Sequence, residues 1–195
     1  MKYNLAFTAG ALLYNESSLY LNAINNIEAY YNGDENVNID VFITNSESSR
    51  KRIKNELDKR FKNIDFSYLE KFNHADEQDQ KIILFFAICN TYQIITEFSL
   101  EVVYKKWLNF DNELGTYDFK YFLSSKLSED QLNDISSSSQ YKLTQVAIKI
   151  FKDVGLYKNE SLVPLRPSQD LVDLIIQNRD QWFFNCILFN NQEEI

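Results

Sequence analysis

Apolar residues recur at helical spacing along most of this chain. In residues 8–31, leucine, isoleucine and tyrosine side chains return every three or four positions, which predicts one helix or two abutting helices. Ile53, Leu57 and Phe61 are spaced four residues apart, which predicts an amphipathic helix that ends near Lys62. The first third of the chain is therefore expected to be helical.

The middle of the chain continues the same period. Residues 78–110 form a strongly helical block that is apolar nearly all round between Ile82 and Ile95, which is typical of a buried central helix, either continuous or broken near Asn90-Thr91. Shorter helices are predicted at 116–126, 129–135, 140–154 and 167–176. Gly155 should end the third of these, because glycine readily takes the left-handed conformation that closes a helix.

The remaining segments are less regular. Residues 156–166 are extended in pattern, with two short strands expected around Asn159-Glu160-Ser161, and the aromatic tail 181–189 fits either a helix or a strand. The chain has only four glycines and two prolines, too few for the many tight turns of a sandwich or barrel. We therefore expect an all-α fold, mainly a helical bundle with helix-turn-helix character and a candidate β-hairpin wing near 156–166.

The domain organisation follows from the absence of an internal repeat or linker in the sequence. We expect a single compact helical unit over residues 1–195. Within it, 1–70 would be a helix-turn-helix-like sub-region, and 71–195 a helical bundle with a winged-helix-like end.

Charge and cysteine usage bear on location. The formal net charge is −8, and Cys89 and Cys186 both lie in apolar runs, as buried thiols in a reducing compartment do. The longest apolar run, residues 82–89, is shorter than the roughly 20 residues of a membrane helix. The first residues turn polar without a leader-like pattern. We therefore expect a cytoplasmic protein without membrane insertion.

Signatures of catalysis are sparse. His74 is the one histidine, and we interpret its acidic surroundings as a polar loop and helix start rather than a proton relay. Glycines stand at positions 10, 33, 115 and 155, too far apart for a phosphate-binding loop or a nucleophile elbow. One histidine and two separated cysteines cannot assemble a structural zinc site. The sequence predicts no enzyme, no metal and no cofactor.

The strongest chemical feature is a basic helix. Residues 50–62 hold seven basic and two acidic side chains, a net charge of +5, so the rest of the chain sums to −13. The preceding Thr44-Asn45-Ser46-Glu47 has the spacing of a capping box, which would open the helix. A capped helix with basic flanks can lie on a phosphate backbone, like the second helix of a helix-turn-helix. A solvated amphipathic helix explains the same pattern, and the residues leave both interpretations open.

A second basic segment lies further along the chain. Residues 136–158 contain Lys142, Lys149, Lys152 and Lys158 against one acid, Asp153. A helix followed by an extended hairpin is similar to the end of a winged helix, whose wing would lie between residues 158 and 166. An ordinary exposed helix face followed by a loop is the alternative, and the pattern does not choose between them.

Several short motifs occur in a characteristic order. They are Phe7-Thr8-Ala9-Gly10-Ala11-Leu12-Leu13 with Glu16, Ser48-Ser49-Arg50-Lys51-Arg52, the apolar block 83–92, Glu101-Val102-Val103, Phe110-Asp111, Leu143-Thr144-Gln145 and Val154-Gly155-Leu156. This ordered set, which spans most of the chain, resembles the BrxA proteins, small components of bacterial BREX phage-exclusion systems. No single motif is highly specific. The chain departs from the family pattern in its acidity and in the loop 32–38.

The resemblance implies a helical protein with helix-turn-helix character that binds double-stranded DNA and serves phage defence beside other BREX proteins. Our hypothesis is therefore a DNA-binding accessory protein of such a system. The candidate DNA-binding residues are Ser48, Ser49, Arg50, Lys51, Arg52, Lys54, Lys59, Lys142 and Lys149. The alternative is a non-catalytic adaptor whose protein partner docks on the acidic surface or on exposed tail aromatics such as Trp182 and Phe183.

Overall fold

The computed structural model describes residues 3–44 and 46–190 of the chain. It is mainly helical, as predicted. In chain order the α-helices are α1 (Tyr14–Asn22), α2 (Ile27–Asn32), α3 (Glu47–Phe61), α4 (Phe66–His74), α5 (Glu77–Thr91), α6 (Gln93–Phe98), α7 (Tyr104–Leu108), α8 (Thr116–Lys126), α9 (Glu129–Asn133), α10 (Ser137–Val154), α11 (Gln169–Gln177) and α12 (Trp182–Cys186). Turns of 3₁₀-helix cover Ala6–Ala9 and Ile39–Val41, and a π-helical segment, Ser99–Val103, joins α6 to α7.

The predicted hairpin is present. Strands β1 (Tyr157–Lys158) and β2 (Ser161–Leu162) pair antiparallel. The two residues between them, Asn159 and Glu160, both have positive φ, the conformation of the tight turns that suit the twist of a hairpin. The backbone amide of Leu162 also donates to the carbonyl of Asn112, which ties the hairpin to the chain before α8.

The described chain divides into two compact units. The N-terminal unit comprises residues 12–44, 46–91 and 167–180, and the C-terminal unit comprises residues 3–11, 92–166 and 181–190. The boundary at residues 91–92 falls where the helical block is broken, because Tyr92 leaves the helical conformation between α5 and α6. The expectation that the whole chain acts as a single unit stays a prediction.

The core of the N-terminal unit is built around α5. All residues from Ile82 to Cys89 on this helix are buried, which confirms the prediction of an apolar central helix. Helices α3 and α4 pack against it, with the ring centroids of Tyr68 and Phe86 at 4.6 Å. The returning helix α11 is fixed by the buried carboxylate of Asp79, which accepts hydrogen bonds from the backbone amide and hydroxyl of Ser168. Ser168 also caps α11.

The core of the C-terminal unit is an aromatic cluster. The ring of Phe98 lies 4.9 Å from Phe119, 5.3 Å from Phe122 and 5.6 Å from Phe151, measured between centroids. These contacts hold α6, α8 and α10 together. The 3₁₀ turn Ala6–Ala9 packs on α10 and inserts Phe7 between Tyr92 and Phe119.

The tail resolves as the helix α12, in which Phe183 is fully buried. The expectation that Phe183 is an exposed docking aromatic was therefore wrong. Its ring belongs to the core beside the π-helical segment, against which α12 packs, while Trp182 is half-buried. The sequence pattern could not separate these cases, because an aromatic-rich tail looks the same whether it packs inward or faces a partner.

Within the described residues no single helix is both long and apolar enough to cross a bilayer. The helix α5 and the consecutive helical stretch Gln93–Leu108 reach the required length and apolar composition only when the two are counted together.

Candidate nucleic-acid interface

The basic helix α3 begins at a different cap from the one predicted. Ser46, not Thr44, is its N-cap, and its hydroxyl accepts from the backbone amide of Ser49 at 3.4 Å. Glu47 is the first helical residue and pairs with Lys51 at 2.6 Å one turn later. The Thr44–Glu47 capping box was therefore wrong, because a second capping residue stands two positions along; Asn45 lies outside the described residues.

The apolar side of α3 agrees with the prediction. Leu57 and Phe61 are fully buried, and Ile53 is half-buried at the N-terminal end of the same stripe. The buried side also carries the ion pair of Arg60 with Glu56, whose Nε–Oε1 distance is 2.6 Å. Two charges of the basic segment are thereby neutralised inside the N-terminal unit, and they do not contribute to its surface charge.

Lys54, one of the candidate DNA-binding residues, takes part in a polar network inside the unit. Its ammonium lies 2.6 Å from Asp58, and its side chain is only 16% exposed. The hydroxyls of Tyr20 and Tyr30 donate to the other carboxylate oxygen of Asp58, both at 2.6 Å. One carboxylate therefore gathers a lysine and two tyrosines, and the positive charge of Lys54 is largely satisfied before any ligand arrives.

Titration of the network reflects its geometry. Burial alone would raise the pKa of Asp58, but hydrogen bonds from Lys54, Tyr20 and Tyr30 outweigh it and hold that pKa below its ordinary value. Burial, followed by the hydrogen bond to Asp58, raises the pKa of Tyr20 and of Tyr30 well above the ordinary phenol value. At neutral pH the network therefore holds an ionised carboxylate and two protonated phenols, which is the state that its hydrogen bonds require.

Arg50, a second candidate, binds the segment before α3. Its Nη1 donates to the backbone carbonyl of Thr44 at 2.9 Å, and its Nη2 lies 3.6 Å from the carboxylate of Asp40. The side chain is 22% exposed. These contacts orient the entry to the helix, so Arg50 has a structural role whether or not it also touches phosphate.

The remaining candidates on α3 lie on its solvent-facing side. Lys51 and Arg52 are exposed, Lys59 is half-buried two turns further on, and exposed Lys62 follows the end of the helix. Ser48 is exposed, and its hydroxyl lies 2.7 Å from that of Ser46. We call the side chains of Lys51, Arg52, Lys59 and Lys62 the α3 basic face.

Helix α10 begins three residues earlier than predicted. Ser136 caps it by accepting from the amide of Ser139 at 3.3 Å, and the other serines of the run form the first turn. Gly155 ends the helix with φ 93°, as expected of a left-handed cap. Serine is a better cap than helix former, and the first serine of the run alone takes the capping position.

The two sides of α10 differ sharply. Its apolar side is buried against α8, and Leu143, Ala147 and Ile150 belong to the core. Its outer side carries four exposed polar or basic side chains, which we call the α10 basic face. They are Lys142, Gln145, Lys149 and Lys152.

Two of these lysines have neighbours on the same surface. Lys149 pairs with Asp153 at 2.8 Å, but its side chain remains 62% exposed. Lys152 lies over the ring of Tyr157 on β1, with 5.7 Å from Nζ to the ring centroid. Exposed ion pairs of this kind are weak, so Lys149 can exchange its carboxylate for a phosphate at little cost.

The connection between α9 and α10 is short and held in place. Only residues 134–136 separate the two helices. The side-chain amide of Gln140 donates to the carbonyls of Leu132 and Ile135, both at 3.0 Å, which satisfies the carboxyl end of α9. At its other end, α9 is capped reciprocally by Ser128 and Gln131. The C-terminal unit thus presents, in chain order, a helix, a short helix, a tight turn, a long helix with a basic face, and a hairpin.

The surface around α10 also includes residues that the sequence analysis did not single out. Tyr117, Tyr121 and Tyr141 are exposed and line a groove between α8 and α10 together with Lys120. The available signal was the i, i+4 spacing of Tyr117 and Tyr121 on the side of α8 away from its buried phenylalanines.

No group of three or more His, Cys, Asp or Glu side chains in the described ranges is placed to hold a metal ion. Cys89 and Cys186 are both buried, as the sequence predicted.

Comparisons with known proteins give a consistent result. The sequence model of the BrxA family matches residues 1–179. A curated relative, the BREX protein BrxA of Bacillus cereus (strain H3081.97), is 29% identical over 121 residues, which is 62% of this chain and 60% of the relative. The matched region thus spans less than two thirds of that relative's length.

A solved structure shares the fold. The crystal structure of an uncharacterized protein from Magnetospirillum magneticum superposes with a TM-score of 0.71, at 17% identity, and covers 96% of this chain and 98% of its own. At that identity the likeness concerns the fold alone.

Proposed function

The chain belongs to the BrxA family, and from that premise we propose that it is a non-enzymatic accessory protein of a BREX phage-defence system that binds double-stranded DNA in the cytoplasm. One observation carries the DNA-binding part. The order α9, three-residue turn, α10 and β-hairpin resembles that of a winged helix-turn-helix, in which the second helix enters the major groove. The exposed residues of α10 are then the residues that meet DNA.

The charge distribution supports the same proposal. The chain as a whole is acidic, yet the outward side of α10 and the α3 basic face each carry at least three lysine or arginine side chains, spaced at most two turns apart along one side of the helix. Side chains at this spacing can follow a row of phosphates. For about five phosphate contacts, affinity should fall roughly 500-fold between 50 and 200 mM salt. Duplex binding by this acidic chain should therefore depend steeply on ionic strength.

The contacts within each unit refine the set of candidate residues. The side chains of Arg50 and Lys54 are only 22% and 16% exposed and bind groups within the N-terminal unit, so we assign them to holding α3 in place. Phosphate contacts fall instead to the side chains of the two basic faces, which are exposed except for half-buried Lys59. The proposed contact residues are Lys51, Arg52, Lys59, Lys142, Lys149 and Lys152.

The test is a duplex-binding titration, followed by fluorescence anisotropy at low and moderate salt. The double variant Lys142→Glu/Lys149→Glu should lose most duplex affinity, whereas Lys142→Arg/Lys149→Arg should retain it because the charge is kept. Lys105→Glu, an exposed lysine at the start of α7, controls for a general change in charge. If the wild-type protein fails to bind duplex at low salt, or the glutamate variant binds as well as wild type, the DNA-binding proposal is rejected.

The second candidate function is an adaptor that contacts other BREX proteins. One observation favours it: Leu108, the last residue of α7, and Phe110, two residues later, are 51% and 90% exposed, a large exposure for two apolar side chains so close in the chain. A tagged protein should then retain BREX partners in a pull-down from cells that express the whole system, and Phe110→Ser should release them. An unchanged set of retained proteins would argue against this surface.

A further inference from the structure

An open groove of about 690 Å³ lies between α8 and α10 in the C-terminal unit. Three tyrosines line it: Tyr117 and Tyr121, one helical turn apart on α8, and Tyr141 in the second turn of α10. Their exposed fractions are 77%, 70% and 67%. The core of this unit does not use these rings, since α8 contributes Phe119 and Phe122 to it from the opposite side.

The exposure of these rings needs a physical reason. A tyrosine ring left in water forgoes the free energy of its burial, and scattered exposed aromatics are tolerated on most proteins. Three of them around one groove are a different case, because clustered exposed aromatic surface usually marks a binding site. The groove is therefore better explained by a ligand that covers the rings than by the fold.

The polar lining indicates the charge of that ligand. Among the described residues that line the groove, Lys120 is the one charged side chain, and none carries a carboxylate. The other polar lining groups are hydroxyls and the amide of Gln140. In a chain with 28 acidic residues and a net charge of −8, a surface of this size without an acid is an exception. Its charge is complementary to an anion.

The start of α10 adds to the positive potential. Ser137, the first residue of this 18-residue helix, lines the groove, and the first turn contains only serine and glutamine. No acid within this first turn offsets the positive end of the helix dipole.

Flat rings beside isolated cations are the combination with which proteins hold unpaired nucleotides. The bases stack on aromatic side chains, and the phosphates run along a basic track. Bases inside a duplex are stacked on each other and are not available to tyrosine rings. The groove is therefore matched to a single strand rather than to a double helix.

We propose that the groove between α8 and α10 binds a short single-stranded stretch of nucleic acid, with bases stacked on Tyr117, Tyr121 and Tyr141 and phosphates beside Lys120 and the start of α10. This activity is separate from duplex recognition and does not depend on it. A protein with both surfaces can bind at a site where paired and unpaired strands meet.

The experiment measures the anisotropy of a labelled oligothymidine, a labelled oligouridine and a labelled duplex, titrated with the full chain at low salt. The central variant is Tyr117→Ala/Tyr121→Ala. Each lost stack should weaken binding about five- to a hundredfold, so the double variant should bind the single strand at least about tenfold more weakly than wild type. Because both rings are mostly exposed, the thermal unfolding midpoint should not change.

Two further variants test whether stacking on the rings accounts for the loss of single-strand affinity. Tyr117→Phe/Tyr121→Phe keeps the rings and removes the hydroxyls, so it should bind the single strand like wild type. Phe110→Ala removes a 90% exposed ring outside the groove and should have no effect. If the phenylalanine variant is as weak as the alanine variant, the hydroxyls rather than stacking account for binding, and the proposal fails.

The duplex arm separates this inference from the proposed function. Single-strand affinity lost with duplex affinity kept supports the groove. Equal loss on both ligands assigns the tyrosines to the duplex surface and overturns the inference, as does a wild-type protein that binds neither oligothymidine nor oligouridine. A wild-type protein that binds only single strands would reject the proposed duplex binding and support the groove. Comparison of the two oligonucleotides shows whether DNA or RNA is preferred.

Discussion

Lys54 and Asp58, one turn apart on α3, are joined by a 2.6 Å contact between ammonium and carboxylate, and the same carboxylate accepts from Tyr20 and Tyr30. Tyr20 is on α1 and Tyr30 on α2, so this network fastens three helices of the N-terminal unit to each other. The charge pattern assigned Lys54 to DNA binding. In the structure, Lys54 instead contacts Asp58, the carboxylate that joins α1, α2 and α3.

Asp58→Asn should destabilise the protein. The neutral amide keeps the size of the side chain but loses the charge that Lys54, Tyr20 and Tyr30 share, so we expect the free energy of unfolding to fall by about 1–3 kcal/mol. Urea denaturation followed by circular dichroism measures it. Asp153→Asn, which breaks the exposed pair with Lys149, is the matched control and should cost less than about 1 kcal/mol. Equal losses in the two variants would contradict the structural role of the network.

The same network predicts a pH dependence. The pKa of Asp58 is lowered in the folded protein, so the unfolded chain takes up the proton first as the pH falls. The stability that Asp58 contributes is complete above its unfolded pKa of about 3.9 and is lost as the pH falls through the lower folded value. The difference in unfolding free energy between wild type and Asp58→Asn should therefore be constant near neutral pH and shrink below about pH 4.

Urea melts of both proteins at a series of pH values provide the measurement. The Asp153→Asn control should show no comparable convergence with wild type. A wild-type advantage over Asp58→Asn that persisted undiminished to the lowest accessible pH would mean that the carboxylate is not the origin of the effect.

Substitutions in the α3 basic face and at the partly buried Lys54 should have different effects on duplex affinity. Lys51→Glu/Arg52→Glu alters the α3 basic face and should lower duplex affinity, with a salt dependence reduced by about one unit for each lost phosphate contact. Lys54→Gln should instead lower stability, with a smaller effect on affinity at temperatures where the protein is folded. Affinity that depends on Lys54 but not on Lys51 and Arg52 would reverse our assignment.

Local patterns in the sequence were sufficient for much of the fold. The stripe of Ile53, Leu57 and Phe61, the buried block 82–89 and the cap at Gly155 depend on neighbours within a few turns, and all are present in the structure. The hairpin was also predictable from the extended pattern after Gly155.

Features that depend on distant contacts were not predictable. Lys51 and Lys54 look equivalent in the sequence, and the difference lies in Tyr20 and Tyr30, more than twenty residues away. Phe183 was assigned to the surface because its burial depends on the π-helical segment far from it in the chain. The N-cap of α3 was misplaced at Thr44 instead of Ser46 for a local reason, since neighbouring polar residues compete for one position and their capping free energies differ little.

The turn between α9 and α10 provides a final prediction, because it determines how α10 is presented. The side-chain amide of Gln140 donates to the carbonyls of Leu132 and Ile135, so Gln140→Ala leaves the end of a five-residue helix without these partners. We expect a loss of about 1 kcal/mol in stability and faster amide hydrogen exchange in residues 132–137. Gln140→Glu, which cannot donate at neutral pH, should behave like alanine.

Gln145→Ala, an exposed glutamine on the same helix, is the control and should leave exchange in the turn unchanged. If the turn between α9 and α10 orients α10 for the major groove, Gln140→Ala should also lower the affinity for duplex DNA. This loss should be larger than the one that Gln145→Ala causes by removing a direct contact. Faster exchange with undiminished duplex affinity would show that the turn is stabilised by Gln140 but that its rigidity is not needed for recognition, and base contacts would then have to be sought on α3.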